Sequence, residues 1–509
     1  MLIDDVYVHL PLKRAMHAVA PVQALKLLRR KVNVISERQF HSEMIEIFKG
    51  LRDLHTNYIL PAPYNQHTAF LPFLMEEFYD GDERHYVVSR LIAGFTHSHF
   101  RSGAEITHWS GVPIDQAVAI NADREAGSNE AARHVRGLDN MTVRPMSMAL
   151  PPAEEWVVVG YRRNDTEREI RLPWRVFQPD STNEGDAPGA GKQFASAVGL
   201  DLKMELTNRA RKALFAKAAV DRSQAVADLK SKGKRGKKKL AAFMGAHSSF
   251  PNTFEFRTIP TDRGDRGYLR IRTFGDPGPQ AFIAEGVRIL ALLPQDGLIV
   301  DVRGNGGGII MNGERMLQFF TPNRVEAEPL RFINNDVTLA IANTNALGGF
   351  AKRWRRSIDL SLLTAAVYSQ GFPIESPDIT NAIGRRYAGS VVLITDARCY
   401  STTDIFAAGF QDNDLGTILG VDNNTGAGGA NVFRHSLLRQ VLPGPNSPFK
   451  SLPGGADMRV AIRQTTRVGE NNGLPLEDLG VTPNQVHRMT RDDVMEGNRD
   501  LIATAAALL

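Results

Sequence analysis

Apolar residues near the start of the chain recur at helical spacing: Leu10, Leu12, Met16, Val19, Val22, Leu25 and Leu28. The pattern resumes in "SERQFHSEMIEIFKGLRDLHTNY", where Ser36 and Gln39 form a capping-box start. The spacing predicts a helix from there to about Leu54, with His55 at its end. From 76 to 178 the texture changes to short alternating runs, "HYVVSRL", "AEITHWSG", "VRPMSMAL" and "WVVVGYRR". These predict a small β-rich unit with a turn at "RRNDTE" and one helix at "PIDQAVAINA". Between 179 and 255 Gly, Ser, Lys and Ala break the pattern, which reads as a linker or surface insertion. It holds one or two amphipathic helices around "KMELTNRARKALFAKAAV". From 256 onward Val/Ile/Leu-rich strands alternate with helices: "RGYLRIRTF", "PQAFIAEGVRILALL", "GLIVDVRG", "MNGERMLQFF", "SVVLITDA", "STTDIFAAGFQDN" and "GTILGV". That alternation predicts a buried, largely parallel sheet flanked by helices.

Composition narrows the class. The 509 residues, 42% of them hydrophobic, suffice for several domains with real cores. The single cysteine, Cys399, excludes an internal disulfide, and no Cys/His spacing resembles a structural zinc site. The net charge of +5 is concentrated in one run, "KSKGKRGKKK" at 230–239. That run has no interleaved aromatics for base stacking, so it reads as a solvated loop and no nucleic-acid partner is expected. No apolar run reaches membrane-spanning length, and the first twenty residues carry Asp4, Asp5, Lys13 and Arg14 with no long apolar core. As given, the chain reads as cytoplasmic; an exported form would need a leader upstream of Met1. The sequence carries no signal of oligomeric state.

Candidate chemistry sits where strands end and helices begin, because unpaired backbone N–H groups converge there. In "LIVDVRGNGGGII", residues 298–310, a strand runs into Gly304, Gly306, Gly307 and Gly308. Such a cluster lets a ligand approach bare N–H groups, but no Lys followed by Ser or Thr closes it as a phosphate loop. In "ITDARCYSTTDIFAAGFQD" a strand is followed by Ser401 at the head of a helix, with Asp404 three residues on. Ser401 fits a plain N-cap, and the same geometry suits a serine nucleophile, which further needs a base and an oxyanion hole.

These residues carry a resemblance. "GLIVDVRGNGGG", "SVVLITDARCYSTTDIFAAGFQDNDLGTILGV" and "GLPLEDLGVTPNQVHRMTRDDV" resemble, in order, three signature blocks of the C-terminal processing (tail-specific) serine peptidase family. "GYLRIRTF" is similar to the strand that opens its catalytic core, and "GAEITHWSGVPIDQAV" to part of its PDZ-like module. The resemblance implies an α/β catalytic core at 256–509, a ClpP/crotonase-like sheet flanked by helices. It also implies an N-terminal helical segment at 1–75 carrying the base, a PDZ-like β-rich domain at 76–178, and a linker or insertion at 179–255. Carried over by position, the nucleophile is Ser401 and the oxyanion donors are Gly307, Gly308 and Thr402. The lysine base of most of the family is missing, because the matching segment is "NNTGAGGAN" and no lysine occurs between Ser401 and Lys450. The family's tricorn-core-like branch uses a histidine, and "GLRDLHTNY" resembles its "D-x-H-T" motif. This places the base at His55, with Glu477 of "PLEDLGV" as its carboxylate and the adjacent Asp478 as an alternative.

A histidine suits the task because its pKa lies near neutrality. His435 is a rival base, Asp53 and Thr56 are expected to cap the preceding helix, and Cys399 to be a small buried hydrophobe. His97 and His99 alternate as on a strand face and are expected to be packed or solvated rather than metal ligands. The resemblance therefore implies a serine-type endopeptidase acting on peptide or protein substrates without cofactor or metal. The other reading is a catalytically inactive peptide-binding relative.

Overall fold

The computed structural model describes residues 1–178, 198–231, 247–345 and 351–509. At its centre a sheet runs in the order Phe254–Ile259, Arg266–Ile271, Leu298–Asp301, Val391–Thr395, Thr417–Gly420 and Gln485–Val486. The first pair is antiparallel and all the others are parallel. Successive residues serve opposite faces. Leu298, Val300 and Leu393 pack with Phe282, Ile289, Leu317 and Phe406 from the helices on one side. Ile299, Val392 and Ile394 pack on Leu501 and Ala505 of the terminal helix Arg499–Ala507 on the other. Burial on both faces explains why these strands read as continuous apolar runs.

A second sheet brings the N-terminal region onto this core. The strand Asp457–Thr465 pairs with Ala430–Arg434, Leu330–Phe332 and, from the far end of the sequence, Asn57–Ile59. Helices Leu10–His17, Pro21–Lys31 and Glu37–Lys49 precede that last strand. The capping box at Ser36 forms, with Gln39 N donating to Ser36 Oγ at 3.2 Å and Ser36 N to Gln39 Oε1 at 3.0 Å. The helix nevertheless stops at Lys49 and does not run to Leu54. Gly50 ends it, and Arg52, at φ 54°, turns the chain away. His55 thus sits on a turn that enters a strand, not at a helix end.

Five longer strands between Phe73 and Pro173 form an antiparallel sheet, with helices Ile114–Ala122 and Glu130–Thr142 packed against it. The expected turn is a tight hairpin with Asn164 and Asp165 both at positive φ, 47° and 56°. "VRPMSMAL" lies outside this sheet: its Val143–Pro145 pairs with Thr68–Phe70, which in turn pairs with Arg175–Phe177.

The stretch expected as a linker or surface insertion forms the helices expected around "KMELTNRARKALFAKAAV", and also a strand that joins the core. Strand Val198–Leu200 pairs antiparallel with Gly307–Ile309 of the core, and helices Leu202–Phe215 and Lys217–Ser231 follow. Asp201, 1% exposed, anchors it by capping the first helix and pairing with Arg136 at 3.0 Å. The basic run 230–239 lies outside the described residues except for its first two positions. Among the described residues no helix is long and apolar enough to cross a membrane.

Asp139, at the buried side of helix Glu130–Thr142, holds three units together. It accepts from Arg211 at 2.7 Å and from Arg398, just before Ser401, at 2.8 and 2.9 Å. Burial opposes its charge, but the two arginines outweigh burial and hold its carboxyl well below the ordinary range. A depressed folded-state pKa contributes stability above the unfolded value that is lost as pH falls through the folded one. Asp139→Asn should therefore destabilise the protein at pH 7 by about 3 kcal/mol and flatten the acid limb of its stability curve. Urea unfolding at pH 7 and pH 3 checks this; an unchanged difference between the two pH values would refute it.

Candidate active site

The parallel strand Val391–Thr395 ends in a loop that delivers Ser401 to the head of helix Thr402–Asp412. Ser401 has φ 62° and ψ −119°, in a region that favours glycine. This is a sharp strand-to-helix elbow that sets Ser401 at a strand end, and it stores backbone strain. Asp404 holds the elbow, accepting from Ser401 N at 3.1 Å and from Gly428 N of the "NNTGAGGAN" loop at 2.8 Å. Burial pushes the Asp404 carboxyl up to about 7. Cys399 is buried, with Sγ donating to Val302 O at 3.2 Å, and burial pushes its thiol well up. It is a packed thiol, not a thiolate.

His55 Nε2 lies 2.6 Å from Ser401 Oγ, and both side chains are fully buried. The imidazole leans on the Tyr400 ring, centroids 4.5 Å apart. Burial pulls His55 down to about 3 against the opposing charge of Asp53, so the ring is neutral at physiological pH and can accept a proton. Asp53 accepts from His55 N at 2.7 Å and Thr56 Oγ1 at 3.0 Å, and its Oδ1 stands 3.9 Å from His55 Nδ1. Burial would raise Asp53, but His9, Lys13 and the His55 neighbourhood outweigh it and bring it to about 2. Asp53, read from sequence as a helix cap, is therefore a charged carboxylate beside His55.

Glu477 is fully buried in the same region but is engaged elsewhere. Its Oε1 meets Lys13 Nζ at 2.7 Å and its Oε2 lies 3.6 Å from His9 Nε2. Among the described residues His55 Nδ1 has no hydrogen-bond partner, so the expected contact with Glu477 is not made. Burial and the charge of Asp53 push Glu477 up against the pull of Lys13. Asp478 pairs with Lys13 Nζ at 2.6 Å and with His17 Nε2 at 3.1 Å. Ligand atoms of His9, Asp53 and Glu477 lie within 4.8 Å of one another, close enough for a metal ion. The Lys13 ammonium already supplies the positive charge that cluster needs.

The three expected oxyanion donors surround Ser401 in different states. Gly307, at φ 105°, packs on the nucleophile so closely that a Cβ would stand 2.8 Å from Ser401 Cβ. Its N–H donates internally to Asn305 Oδ1 at 3.0 Å. Gly308, at φ 148°, stands in strand register opposite Gly199. Thr402 opens the helix, and its Oγ1 donates to Gly308 O at 2.9 Å and Gly199 O at 3.2 Å. Val198–Leu200 thus lies across Ser401. A Cβ on Gly199 would overlap Ser401 Oγ and Ala430 O, and Arg459 donates to Leu200 O at 2.8 Å.

The remaining candidates separate from the site. His435 starts the helix His435–Val441, edge-on to Phe449, and is not joined to Ser401. His97 and His99 lie in a turn, not on a strand, where His97 Nδ1 accepts from the amides of His99 and Phe100 at 3.2 and 2.9 Å. Sequence reasoning missed Lys13, which sits in an ordinary amphipathic helix, and Gly199, whose neighbours carry no periodic pattern. It undervalued Asp53, for which the D-x-H spacing was the available signal.

Comparison with known proteins bears on the fold and the family. No curated protein sequence matches the chain. Among solved structures, mature CPAF superposes with a TM-score of 0.66 at 16% identity, covering 100% of this chain and 94% of that one. Mature CPAF complexed with lactacystin gives 0.64 at 17% identity, covering 99% and 95%. At these identities the likeness is one of fold. The tricorn protease gives only 0.37 at 15% identity, covering 99% of this chain and 35% of that one. Residues 265–440, which hold both the glycine loop and Ser401, match the model described as Peptidase family S41. The chain carries a peptidase family S41 domain and is a serine peptidase.

Proposed function

We propose that the protein is an endopeptidase in which Ser401 is the nucleophile and His55 the general base. The observation that carries this reading is the 2.6 Å contact between Nε2 of a buried, neutral His55 and Oγ of a Ser401 held in a strained elbow. In the first half-reaction Oγ attacks the scissile carbonyl while His55 takes its proton; the imidazolium then protonates the leaving amine and an acyl-enzyme remains. In the second half-reaction water loses its proton to His55, attacks the ester, and Oγ recovers the proton as the acid leaves. The carboxylate of Asp53 stabilises the transient imidazolium through its charge. Amide groups of Gly308 and Thr402 face the developing oxyanion once Val198–Leu200 gives way to substrate.

Peptide or protein substrates fit this chemistry. An extended segment adds to Gly307–Ile309 as a strand, the place its own chain now occupies. The antiparallel sheet between Phe73 and Pro173, with helix Ile114–Ala122, serves as a PDZ-like module that captures the substrate segment or tail. Intact-mass analysis after exposure to a fluorophosphonate tests the reading. One adduct is expected on the wild type, mapped to Ser401, and none on Ser401→Ala. Absence of any adduct would overturn it in favour of a non-catalytic, peptide-binding relative.

A further inference from the structure

The turn that carries the base is gripped by one ammonium group from the first helix. Lys13, on Leu10–His17, is completely buried, and its Nζ reaches three oxygens. They are Arg52 O at 2.7 Å, Asp478 Oδ1 at 2.6 Å and Glu477 Oε1 at 2.7 Å. The ammonium donates to Arg52 O and Asp478 Oδ1 and forms a close ion pair with Glu477. Two of the gripped residues, Arg52 at φ 54° and Asp478 at φ 68°, sit in backbone regions that favour glycine and persist only when held. Arg52 immediately precedes Asp53 and lies three residues from His55, so its carbonyl fixes where the base turn begins.

We infer that Lys13 is a positioning residue for the reaction: by closing the Arg52 carbonyl and the Glu477–Asp478 turn onto one ammonium, it sets the placement and the electrostatic environment of His55. The inference rests on the Ser401–His55 reading. It makes the first helix part of the catalytic apparatus, because one ammonium ties the carbonyl that begins the base turn to the Glu477–Asp478 turn.

The charges around the base give the expected direction of a pH effect. His55 is faced by Asp53, which favours its protonation, and by Arg459, His9 and Lys13, which oppose it; the tilted Tyr400 ring packs against it. Lys13 itself is faced by Glu477, Asp478 and Asp53, and His17 shares Asp478 with it. Burial and the charge of Asp53 push Glu477 above the ordinary carboxylate range against the pull of Lys13. Removing Lys13 leaves Asp53 and Asp478 with one counter-charge fewer. His55 then holds a proton more tightly, and the acid limb of reactivity moves to higher pH.

The test uses the full chain and the fluorophosphonate rate at Ser401 as a function of pH. Lys13→Met should label about 10- to 100-fold more slowly with unchanged probe binding, and its acid limb should rise by about half a pH unit or more. NMR titration of 13C-labelled histidine, with His55 assigned through His55→Gln, should show the same shift. If Lys13→Met does not fold, Lys13→Met/Asp478→Asn removes the ammonium together with one carboxylate and should still label slowly. Wild-type rate and profile in a folded variant would overturn the inference. So would slow labelling with an unmoved limb and titration, which would mean packing alone. A wild type that never labels would sink the Ser401–His55 chemistry, and the His55 titration would still decide the part played by Lys13.

Discussion

Replacing His55 with alanine is expected to lower the second-order rate of Ser401 acylation by about four to six orders of magnitude while the melting temperature changes little. Oγ has Nε2 as its hydrogen-bond partner, and Lys13, the lysine in the same cluster, is bound to three oxygens and cannot approach. His435 packs edge-on to Phe449 at the head of another helix. A serine hydroxyl without a base is a poor nucleophile at neutral pH, so nothing else in the site recovers the loss. Stopped-flow or intact-mass kinetics on both proteins measures the ratio. Retention of more than about 1% of the wild-type rate would remove His55 from the role of base. The wild-type rate should also persist well below pH 6.5, because burial keeps His55 neutral there.

The second large effect is expected at Gly308. Its φ of 148° already disfavours a side chain, and a Cβ would overlap the backbone of Phe274 and Gly275. Neither neighbour can yield cheaply: Phe274 N donates to Gly307 O at 2.9 Å and Ile309 N to Phe274 O at 3.0 Å. Gly308→Ala must therefore move the glycine loop away from Ser401. The expected result is a loss of about 10²- to 10³-fold in acylation rate, that of losing an oxyanion donor. A destabilisation of about 1–3 kcal/mol should accompany it. Gly306→Ala is the control two positions away. Its Cβ would meet Asp201 and Met204 at 3.5 Å, ordinary contact, and should leave both quantities near wild type. Equal effects at the two positions would show that the loop responds to any added volume and not to the placement of Gly308.

How far the sequence foretold this site depended on whether each residue's role was local. The elbow at Ser401 was legible because a buried strand, a hydroxyl and a helix with Asp404 at its third position follow one another directly. The parallel sheet was legible for the same reason, since apolar runs buried on two faces look alike in sequence and structure. Helix Glu130–Thr142 was not, because Arg136 and Asp139 point inward and are buried through ion pairs, which breaks the apolar stripe. The strand Val198–Leu200 was invisible because three residues beside a glycine-rich stretch carry no period at all. The partner of Glu477 is Lys13, at the opposite end of the chain, and no spacing rule links them. His55 was found through a short motif, but the motif could not say that the helix before it ends at Lys49.

Gly199, the residue without a side chain that lies over the nucleophile, bears on how ligands must compete. For a peptide that adds to Gly307–Ile309 as proposed, this strand is an intramolecular competitor, and short tethers bring effective concentrations to roughly the millimolar range. An added peptide is therefore measured against a rival that dilution does not remove, and its apparent affinity understates its intrinsic fit. Screening the intact chain selects for molecules that displace a strand. Under that proposal, affinity at Gly307–Ile309 is set in part by the pairing that residues 198–200 already make there.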